Sequence, residues 1–340
     1  MADRLALFTG GGFADSHAKT AHGILRYGPR EVVCVVDAIQ AGRAASDVIP
    51  YARRPVPIVA GVADARALGA NVLVIGVAPF GGALTDEWRA ALLEAIAAGM
   101  DVEAGLHTVL AEDPELSQAA ARAGVRLRDL RAAPPDLSVP TGDRPDVRVV
   151  HTVGSDCAIG KMSVTLELDA AARARGLESA FVATGQTGIA ITGWGIAVDH
   201  VISDFVAGAA ARLIEEGAGR APLLFLEGQG ALGHPAYSGV TLGLLHGGQP
   251  DAMVLCHRAG ATEIDDYPGT PIPPLHELVD TYERAAGWVR PARVAAIALN
   301  TRGLDDDAAR AAIAAAAEET GLPADDPVRF GGETLLAAVV

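Results

Sequence analysis

The sequence predicts an α/β protein with two domains, each built around a parallel sheet. The chain has 340 residues, enough for two domains of about 150 residues each. Short apolar runs alternate with amphipathic stretches along the chain, which is the pattern of strands alternating with helices. Residues 132–146 (AAPPDLSVPTGDRPD) are rich in Pro, Asp and Gly and carry no apolar period. We therefore place the domains at residues 1–135 and 147–340, with a linker at 136–146.

The first domain follows a Rossmann-like pattern. Its predicted strands are apolar runs that end in glycine, proline or an acid: LALFTGG (5–11), EVVCVVD (31–37) and NVLVIGVAP (71–79). Its predicted helices are KTAHGILRYG (19–28), TDEWRAALLEAIAAG (85–99) with Thr85 as N-cap, and GLHTVLAEDPELSQAAARAG (105–124) with an acidic break. The alternation of strands and helices predicts a parallel sheet.

The second domain starts again with a strand, VRVVHTVG (147–154), then a glycine loop and a helix from Met162 to Arg175. The later predicted strands are SAFVATG (179–185), APLLFLEGQG (221–230), AMVLCHRAG (252–260) and RVAAIALN (293–300), with helices near 204–217, 275–286 and 306–319. Because these strands are apolar throughout, we expect a parallel sheet covered by helices on both faces.

Composition and charge disfavour several classes of function. The formal net charge is −15, and a nucleic-acid partner needs a basic face. No apolar run approaches the ~20 residues of a membrane span, and the start, MADRLALFTGGGF, enters a glycine loop too early for a signal peptide. Three scattered cysteines, Cys34, Cys157 and Cys256, form neither a disulfide framework nor a zinc motif. We expect a cytoplasmic homo-oligomer with no membrane partner and no metal.

The loop GSDCAIGKMS (154–163) is similar to a phosphate-binding loop. Its glycine-rich backbone, the N-terminus of the following helix and Lys161 can together hold an anion. It is one residue longer than G-x-x-x-x-G-K-[ST], and Met162 stands where Ser or Thr follows the lysine. The alternative is a tight strand-to-helix turn without a ligand. The predicted cofactor-binding residues are Gly154, Ser155, Asp156, Cys157, Ala158, Ile159, Gly160, Lys161, Met162 and Ser163.

The lysine count supports a specific role for Lys161. Of the 27 basic residues, Lys19 and Lys161 are the two lysines, and the other 25 are arginine. A lysine in such a composition indicates a position where a slim ammonium on a flexible stem is needed. Both lysines follow glycine-containing segments at predicted strand-to-helix turns.

Polar residues follow the predicted strands of the second domain. Because parallel strands end at one edge of the sheet, we expect these residues to converge there. Glu227 follows the third strand and is our first candidate for a general base, although it could instead cap a helix or pair with Arg258. Asp199 and His234 are the other catalytic candidates, and a loop histidine is often incidental. The candidates for substrate binding at this edge are Gln186, Thr187, Arg258 and Arg302.

The first domain adds candidates in and after the segment TGGGFADSHAKTAHG (9–23). The distance from Gly12 to Lys19 is too long for a second nucleotide loop, and the glycines fit G-x-G-x-x-G poorly, which disfavours NAD. Lys19 is instead predicted to reach a substrate carboxylate across an interdomain cleft. GVAPFGG (76–82) and EAGLH (103–107) are expected at the same strand edge.

Several long motifs, in the same order along nearly the whole chain, carry a resemblance. They are HAKTAHGILRYG, VVDAIQAG, GLHTVLAEDPEL, GSDCAIGKMSVTLEL, EGQGALGHPAYSGVTLGLLHGGQPD and MVLCHRAG. With them the chain resembles the D-glutamate N-acetyltransferase-like family (domain of unknown function family 1611), which pairs a Rossmann-like N-terminal domain with a P-loop NTPase-like C-terminal domain. Within the second domain, GSDCAIGK and EGQG are also similar to dethiobiotin synthetase, an ATP-dependent carboxylate-activating enzyme.

The resemblance implies transfer of an acetyl group from acetyl-CoA, the cosubstrate, to the amine of a small-molecule D-amino acid such as D-glutamate. In the mechanism that we expect, Glu227 takes a proton from the attacking amine and backbone amides at 185–188 or 228–230 hold the thioester oxyanion. Met162 fits this chemistry, because acyl transfer needs no hydroxyl to hold Mg²⁺ beside a leaving phosphate. The cations expected to bind the substrate carboxylates are Lys19, Arg258 or Arg302.

Two other functions stay open at this point. An ATP/Mg²⁺-dependent ligase or kinase of the dethiobiotin synthetase type would place Ser163, Asp156 and Glu227 around the metal. A nucleotide- or CoA-sensing protein without turnover would bind its ligand and release no product.

Overall fold

The computed structural model of the chain describes residues 2–50, 52, 55–77 and 84–340. The chain forms two compact units: unit 1 comprises Met1–Ala132 and Gln186–Ala197, and unit 2 comprises Ala133–Gly185 and Val198–Val340. From position 78 onward, the predicted motif GVAPFGG (76–82) lies outside the described residues. Among the helices of the described ranges, none combines the length and the apolar character that a membrane crossing requires.

Within the described residues, unit 1 contains a six-stranded parallel sheet. Its strands are β1 (Arg4–Phe8), β2 (Glu31–Val36), β3 (Ile58–Val59), β4 (Val72–Ile75), β5 (Asp101–Ala104) and β6 (Leu127–Asp129). They are ordered β3-β2-β1-β4-β5-β6, and each neighbouring pair is parallel. This is the strand order of a Rossmann fold, so the predicted N-terminal architecture is confirmed.

Helices follow the strands of unit 1. They are α1 (Lys19–Tyr27), α2 (Ala45–Val48), α3 (Val62–Ala67), α4 (Asp86–Ala97) and α5 (Pro114–Ala123). Thr85 caps α4 as predicted, because its side chain accepts a hydrogen bond from the N–H of Trp88. The acidic break that we predicted within 105–124 is the N-cap of α5: Asp113 accepts from the N–H groups of Glu115 and Leu116.

Unit 2 contains a second six-stranded parallel sheet in the described part of the chain. Its strands are β7 (Arg148–Gly154), β8 (Ser179–Val182), β9 (Leu223–Leu226), β10 (Ala252–Arg258), β11 (Arg293–Asn300) and β12 (Ala324–Asp325). They are ordered β12-β11-β10-β7-β9-β8, again with every pair parallel. Central strand residues such as Val150, Phe225 and Val254 are buried, which is why these strands show no polar alternation in the sequence.

The remaining helices, in chain order, are α6 (Lys161–Ala174), α7 (Gln186–Thr192), α8 (Val206–Ala218), α9 (Ser238–Gly248), α10 (Leu275–Gly287), α11 (Asp306–Thr320), α12 (Pro327–Phe330) and α13 (Glu333–Val339). Of these, α7 belongs to unit 1, where it packs against α1, and the others belong to unit 2. The fold class predicted from the sequence, two α/β domains with parallel sheets, is confirmed.

The segment 186–197 is an excursion of the chain into unit 1. The chain leaves unit 2 after Gly185 and returns at Val198, whose N–H donates to the C=O of Thr184 (2.9 Å). This hydrogen bond ties together the two ends of the excursion. The sequence boundaries at 135 and 147 stay predictions, and they carry no signal for this excursion.

Candidate functional site

The carboxyl edge of the sheet in unit 2 carries the candidate site. β7 lies between β9 and β10, and the chain continues from it first to one side, through β8, and later to the other side, through β10. Such a reversal opens a crevice at the strand ends, where parallel α/β sheets bind their ligands. The loop after β7 and the residues after β9, β10 and β11 lie at this edge.

The loop between β7 and α6 contains two residues in the left-handed backbone conformation. β7 ends at Gly154 and α6 begins at Lys161. Gly160, the N-cap of α6, has a φ of 110°, and Ala158 has a φ of 53°. Both values lie in the left-handed region, where glycine costs nothing and alanine is strained. Left-handed residues in a turn bring successive N–H groups to one side, as in an anion nest.

Strands β10 and β11 hold this loop in place. The N–H of Ser155 donates to the C=O of Cys256 (3.0 Å), and the Ser155 hydroxyl lies 2.8 Å from Nδ1 of His257. At the end of β11, the amide nitrogen Nδ2 of Asn300 donates to the C=O of Ile159 (3.0 Å). Sequence reasoning missed the pairing of Ser155 with His257 and the role of Asn300, although both strand-end residues were visible as polar groups after apolar runs.

Lys161 is enclosed by the loop. It is 6% exposed, and Nζ donates to the C=O of Asp156 (2.5 Å). Burial lowers the pKa of its ammonium, and nearby Cys256, Cys157, Asp156 and Glu227 oppose that shift. Gly154 and Gly228 flank the stem: a Cβ at Gly154 would lie 3.1 Å from Nζ, and one at Gly228 would lie 3.1 Å from Cδ. These glycines leave room for the lysine side chain inside the loop.

Tyr282, on α10, anchors the start of the loop. Its hydroxyl donates to the C=O of Gly154 (2.7 Å) and accepts from the N–H of Leu232 (3.1 Å). Tyr282 is fully buried, and burial raises its pKa, so the phenol stays neutral and keeps both hydrogen bonds. No local pattern points to Tyr282, because 128 residues separate it from Gly154.

Glu227 follows β9 as a buried carboxyl held by backbone amides. Its Oε2 accepts hydrogen bonds from the N–H of Thr184 (2.8 Å) and of Gly185 (3.1 Å). Burial raises its pKa to about 7, the hydrogen bonds oppose this shift, and the charge of Asp199 adds to it. Because both amides reach Oε2, a proton bound near neutral pH would reside on Oε1. The carboxyl therefore has the protonation equilibrium of an acid–base catalyst at neutral pH.

Gln229 fixes the turn after Glu227 against the end of β8. Its side-chain Nε2 donates to the backbone C=O of Thr184 (2.5 Å). The backbone C=O of Gln229 accepts from the hydroxyl of Thr241 (2.8 Å). The hydroxyl of Thr184 donates to the C=O of Glu227 (3.0 Å). The strand ends of β8 and β9 are thus joined by side-chain and backbone bonds, which immobilises the Glu227 carboxyl.

His234 is buried beside the loop. Its Nδ1 accepts a hydrogen bond from the N–H of Ala236 (3.1 Å), and Nε2 lies 3.9 Å from Oδ1 of Asp156. With the Nδ1 lone pair in use, the proton of the neutral ring is on Nε2, so His234 presents a donor towards Asp156. The rings of Tyr237 and Tyr267 pack against the imidazole, with ring centroids 4.7 and 5.0 Å from its centroid. This geometry suits a structural donor better than the general base for which the sequence makes His234 a candidate.

Asp156, Cys157 and His234 bring metal-binding side-chain types together. Their ligand atoms lie within 4.8 Å of one another. However, a ligating histidine needs a free lone pair, and the proton on Nε2 of His234 takes that position. The Asp156 oxygens already accept from the N–H of Cys157 (2.6 Å) and of Asp265 (2.9 Å). The hydrogen-bond pattern is that of a braced loop, and the expectation of no metal stays a prediction.

Three other predicted residues of unit 2, Asp199, Arg258 and Arg302, are exposed. Asp199 lies in the turn Val198–His200. Arg258 ends β10 and pairs with Asp265 at 3.4 Å, not with Glu227. Arg302 follows β11, and its N–H donates to Oδ1 of Asn300 (3.1 Å). The loop, Glu227, Arg258 and Arg302 thus share one edge of the sheet, as the sequence predicts for residues that follow parallel strands.

Three predicted substrate-binding residues belong to unit 1. Lys19 is the exposed first residue of α1. Thr187 is buried on α7, and its hydroxyl lies 3.1 Å from that of Thr20 on α1. Gln186 precedes it, and a Cβ at Gly105 would lie 2.8 Å from its side chain. The close approach of Gln186 explains the glycine in the predicted motif EAGLH, and the roles of Lys19, Gln186 and Thr187 stay predictions.

Asp37 occupies the end of β2, where a dinucleotide-binding domain presents an acid to a ribose. Its Oδ2 accepts from the hydroxyl of Thr9 (2.8 Å) and the N–H of Phe13 (2.9 Å). Its Oδ1 accepts from the N–H groups of Ile39 and Gln40, both at 3.0 Å. Asp37 is fully buried and braces the glycine segment, which agrees with the weak match of that segment to an NAD motif.

Two family models match the chain. A Rossmann-like domain of unknown function (DUF1611_N) matches residues 38–133, and a P-loop domain of unknown function (DUF1611_C) matches residues 138–336. The chain belongs to the DUF1611 family. The two matched domains confirm the resemblance that the sequence motifs carry, including a Rossmann-like first domain and a P-loop second domain.

Relatives of this DUF1611 protein include two curated proteins and a solved structure. A protein of Tritonibacter scottomollicae named D-glutamate N-acetyltransferase is 40% identical over 277 residues, 81% of this chain and 83% of its own. A protein of Pseudoalteromonas sp. with the same name is 35% identical with the same coverage. The crystal structure of a DUF1611 family protein from Anabaena variabilis is 43% identical, with a TM-score of 0.92 over 99% of both chains.

Proposed function

We propose that this protein is an N-acetyltransferase that moves the acetyl group of acetyl-CoA to the amine of a D-amino acid, with D-glutamate as the expected acceptor. The observation that carries the proposal is one sheet edge with an anion-holding loop around Lys161 and a buried carboxyl, Glu227, whose pKa is raised to about 7. A loop that holds phosphate suits the binding of CoA, and the attack of an amine on its thioester needs a proton acceptor. The names of the two curated relatives support the same reaction.

In this proposal the loop after β7 binds phosphate groups of CoA. Lys161 and the N–H groups of the loop after Cys157 supply the positive field, which a chain with a net charge of −15 must create locally. Transfer of an acetyl group leaves no phosphate, so the position after the lysine needs no Mg²⁺-binding hydroxyl. Met162 at that position is therefore compatible with the reaction.

Glu227 serves as the base. The substrate amine attacks the thioester carbonyl, a C–N bond forms, and the proton of the amine passes to Oε1 of Glu227. The N–H groups of Gly185 and Gly228 already donate to Glu227 and to Thr152, so we assign the oxyanion to the amides of Gln229 and Gly230. Collapse of the tetrahedral intermediate breaks the C–S bond, and the leaving thiolate takes the proton from Glu227.

The P-loop match also favours a second candidate, an ATP/Mg²⁺-dependent ligase or kinase. That reaction needs carboxylates free to hold Mg²⁺. Here Asp156 and Glu227 each accept two backbone hydrogen bonds. These engaged carboxylates favour acyl transfer over phosphoryl transfer.

The test is an assay of free thiol release from acetyl-CoA with a panel of D- and L-amino acids, in buffer with a chelator and without ATP. We expect thiol release that depends on D-glutamate or a close neighbour and that yields the N-acetylated product by mass spectrometry. Phosphate release that requires ATP, Mg²⁺ and a carboxylate, without thiol release, would assign the ligase reaction instead. Binding of CoA without either product would assign a sensor.

Replacing Lys161 by alanine is expected to raise the KM for acetyl-CoA by about tenfold or more, because a buried charge-assisted contact to phosphate is lost. The KM for D-glutamate should change little. Lys19→Ala removes the other lysine of the chain and should leave the KM for acetyl-CoA as it is. An unchanged KM for acetyl-CoA in Lys161→Ala would refute the assignment of the loop to CoA phosphates.

A further inference from the structure

The edge of the sheet in unit 2 has two chemically different sides. β9, which leads to Glu227, lies on one side of the loop strand β7, and β10 and β11 lie on the other. Neighbouring strands are about 4.8 Å apart, so the end of β11 is about 10 Å from β7, on the side away from Glu227. A long ligand held at the loop would therefore meet an acid–base group on one side and the strand ends of β10 and β11 on the other.

Arg302 is the cation on the β11 side that is coupled to the loop. Asn300 donates through Nδ2 to the C=O of Ile159 in the loop (3.0 Å) and accepts through Oδ1 from the N–H of Arg302 (3.1 Å). One side chain thus joins the loop backbone to the backbone of Arg302. Arg302 is exposed, and no described carboxylate forms an ion pair with it.

The other cations at this edge are already engaged. Lys161 is buried inside the loop, with Nζ bonded to the C=O of Asp156. Arg258, at the end of β10, pairs with Asp265 at 3.4 Å. A second phosphate group of a ligand held by the loop would therefore find, in Arg302, a guanidinium that no described carboxylate neutralises.

CoA has the matching arrangement of groups. Its diphosphate lies between the pantetheine arm, which carries the thioester, and an adenosine with a 3′-phosphate. If Glu227 receives the proton of the reacting amine, the thioester arm extends towards β9, and the adenosine extends towards β10 and β11. The 3′-phosphate is then on the side of Arg302, whose planar fork suits a phosphate better than an ammonium does.

We propose that Arg302 binds the 3′-phosphate of CoA and makes the protein select CoA over 3′-dephospho nucleotides. This inference rests on the proposed function, which sets the direction of the bound ligand, and it assigns Arg302 to CoA instead of to the substrate carboxylate that the sequence predicts. Asn300 is a positioning residue, since it holds the Arg302 backbone next to the loop.

The test measures the Kd values of CoA and 3′-dephospho-CoA by isothermal titration calorimetry, which needs no turnover. For the native protein we expect CoA to bind about tenfold or more tightly than 3′-dephospho-CoA. In Arg302→Ala the Kd of CoA should rise to near that of 3′-dephospho-CoA, whose own Kd should change little. Arg302→Lys keeps the charge and should retain part of the difference.

Arg293→Ala is the matched control. Arg293 is exposed and opens β11, about 23 Å along the same strand from its carboxyl end, so the change removes the same charge away from the site. It should leave the ratio of the two Kd values as in the native protein. An Arg293→Ala ratio that falls as far as that of Arg302→Ala would mean that general charge, not a contact, sets the preference, and would overturn the proposal.

Other outcomes overturn it as well. If the ratio of the two Kd values is unchanged in Arg302→Ala, the 3′-phosphate binds elsewhere. The same holds if the ratio is lost in Lys161→Ala but not in Arg302→Ala. An increase in the KM for D-glutamate without a change in the CoA ratio would return Arg302 to the amino-acid substrate. If the ratio behaves as expected and no amine accepts the acetyl group, the site for CoA stands and the proposed transferase reaction fails.

Discussion

Replacing Glu227 by glutamine is expected to lower kcat for acetyl transfer by about 10²–10⁴-fold, the usual contribution of a positioned general base. Glutamine has nearly the same shape, and its amide oxygen can accept the N–H groups of Thr184 and Gly185 that Oε2 accepts now. It cannot take up the proton of the amine. Initial rates of thiol release at saturating acetyl-CoA and D-glutamate measure the loss, and a decrease below tenfold would exclude Glu227 as the base.

The pH profile is a second readout of the same variant. Because burial raises the pKa of Glu227 to about 7, kcat of the native protein should rise through about pH 7 as the carboxylate forms. The Glu227→Gln variant should lack this limb. If the limb persists in the variant, another group is titrating.

Asp199→Asn separates the two acidic candidates. The charge of Asp199 contributes to the raised pKa of Glu227, so its removal should move the acid limb to lower pH and leave the plateau of kcat unchanged. If Asp199 is itself the base, the plateau falls and the limb disappears. The two outcomes are distinguishable in a single profile.

Stability provides the folding control for Glu227→Gln. The ionised carboxylate is less favourable in the folded than in the unfolded chain, because its pKa is raised from 4.5 to about 7 on folding. The stability that Glu227 contributes is therefore lost as the pH rises from its unfolded pKa through its folded pKa. At pH 8 the midpoint temperature of unfolding of the Glu227→Gln variant should equal or exceed that of the native protein. A lower midpoint would mean that the loss of kcat comes from misfolding.

Replacing Gly228 by alanine is expected to cost about 1–3 kcal/mol of stability or more, the range of overpacked interiors. A Cβ at this position would overlap the carbonyl oxygen of Thr152 and would lie 3.1 Å from Cδ of Lys161. The backbone cannot easily shift away, because the N–H of Gly228 donates to the hydroxyl of Thr152 (3.0 Å). Thermal unfolding should show a midpoint several degrees lower, and CoA binding should weaken as Lys161 is displaced.

Gly239→Ala is the control for this change. Gly239 is the second residue of α9, and a Cβ there would meet nothing within 4 Å. Alanine favours a helix over glycine by up to about 1 kcal/mol, so the unfolding midpoint should stay the same or rise. Equal losses in the two variants would show that the contact with Thr152 does not determine the cost at Gly228.

The elements that local pattern specifies were predictable. The apolar run VRVVHTVG forms β7, and the helices predicted near 275–286 and 306–319 are α10 and α11, displaced by one residue at most. Each of these segments carries its own period and its own ends, so neighbours in the chain are sufficient to specify it. The helix α9 was missed, because its glycine-rich sequence lacks a helical signal. It packs against α8, β7 and α10, and such packing provides most of a helix's stability.

The candidate site was predictable in part. Lys161 and Glu227 follow predicted strands, which locates both at one edge of a parallel sheet. The braces around them were not predictable. Tyr282 reaches Gly154 across 128 residues, and Asn300 reaches Ile159 across 141 residues, so no window of sequence contains both partners.

By itself the sequence determined two parallel α/β domains, the long phosphate-type loop and the residues that end each strand, because these depend on apolar period, glycine placement and helix starts. The tertiary structure alone decided the strand order, which puts Glu227 and Arg302 on opposite sides of the loop. It also decided the burial that raises the pKa of Glu227 and the hydrogen bond that makes His234 a donor. These properties arise from contacts between residues far apart in the chain, and neither period nor spacing encodes them.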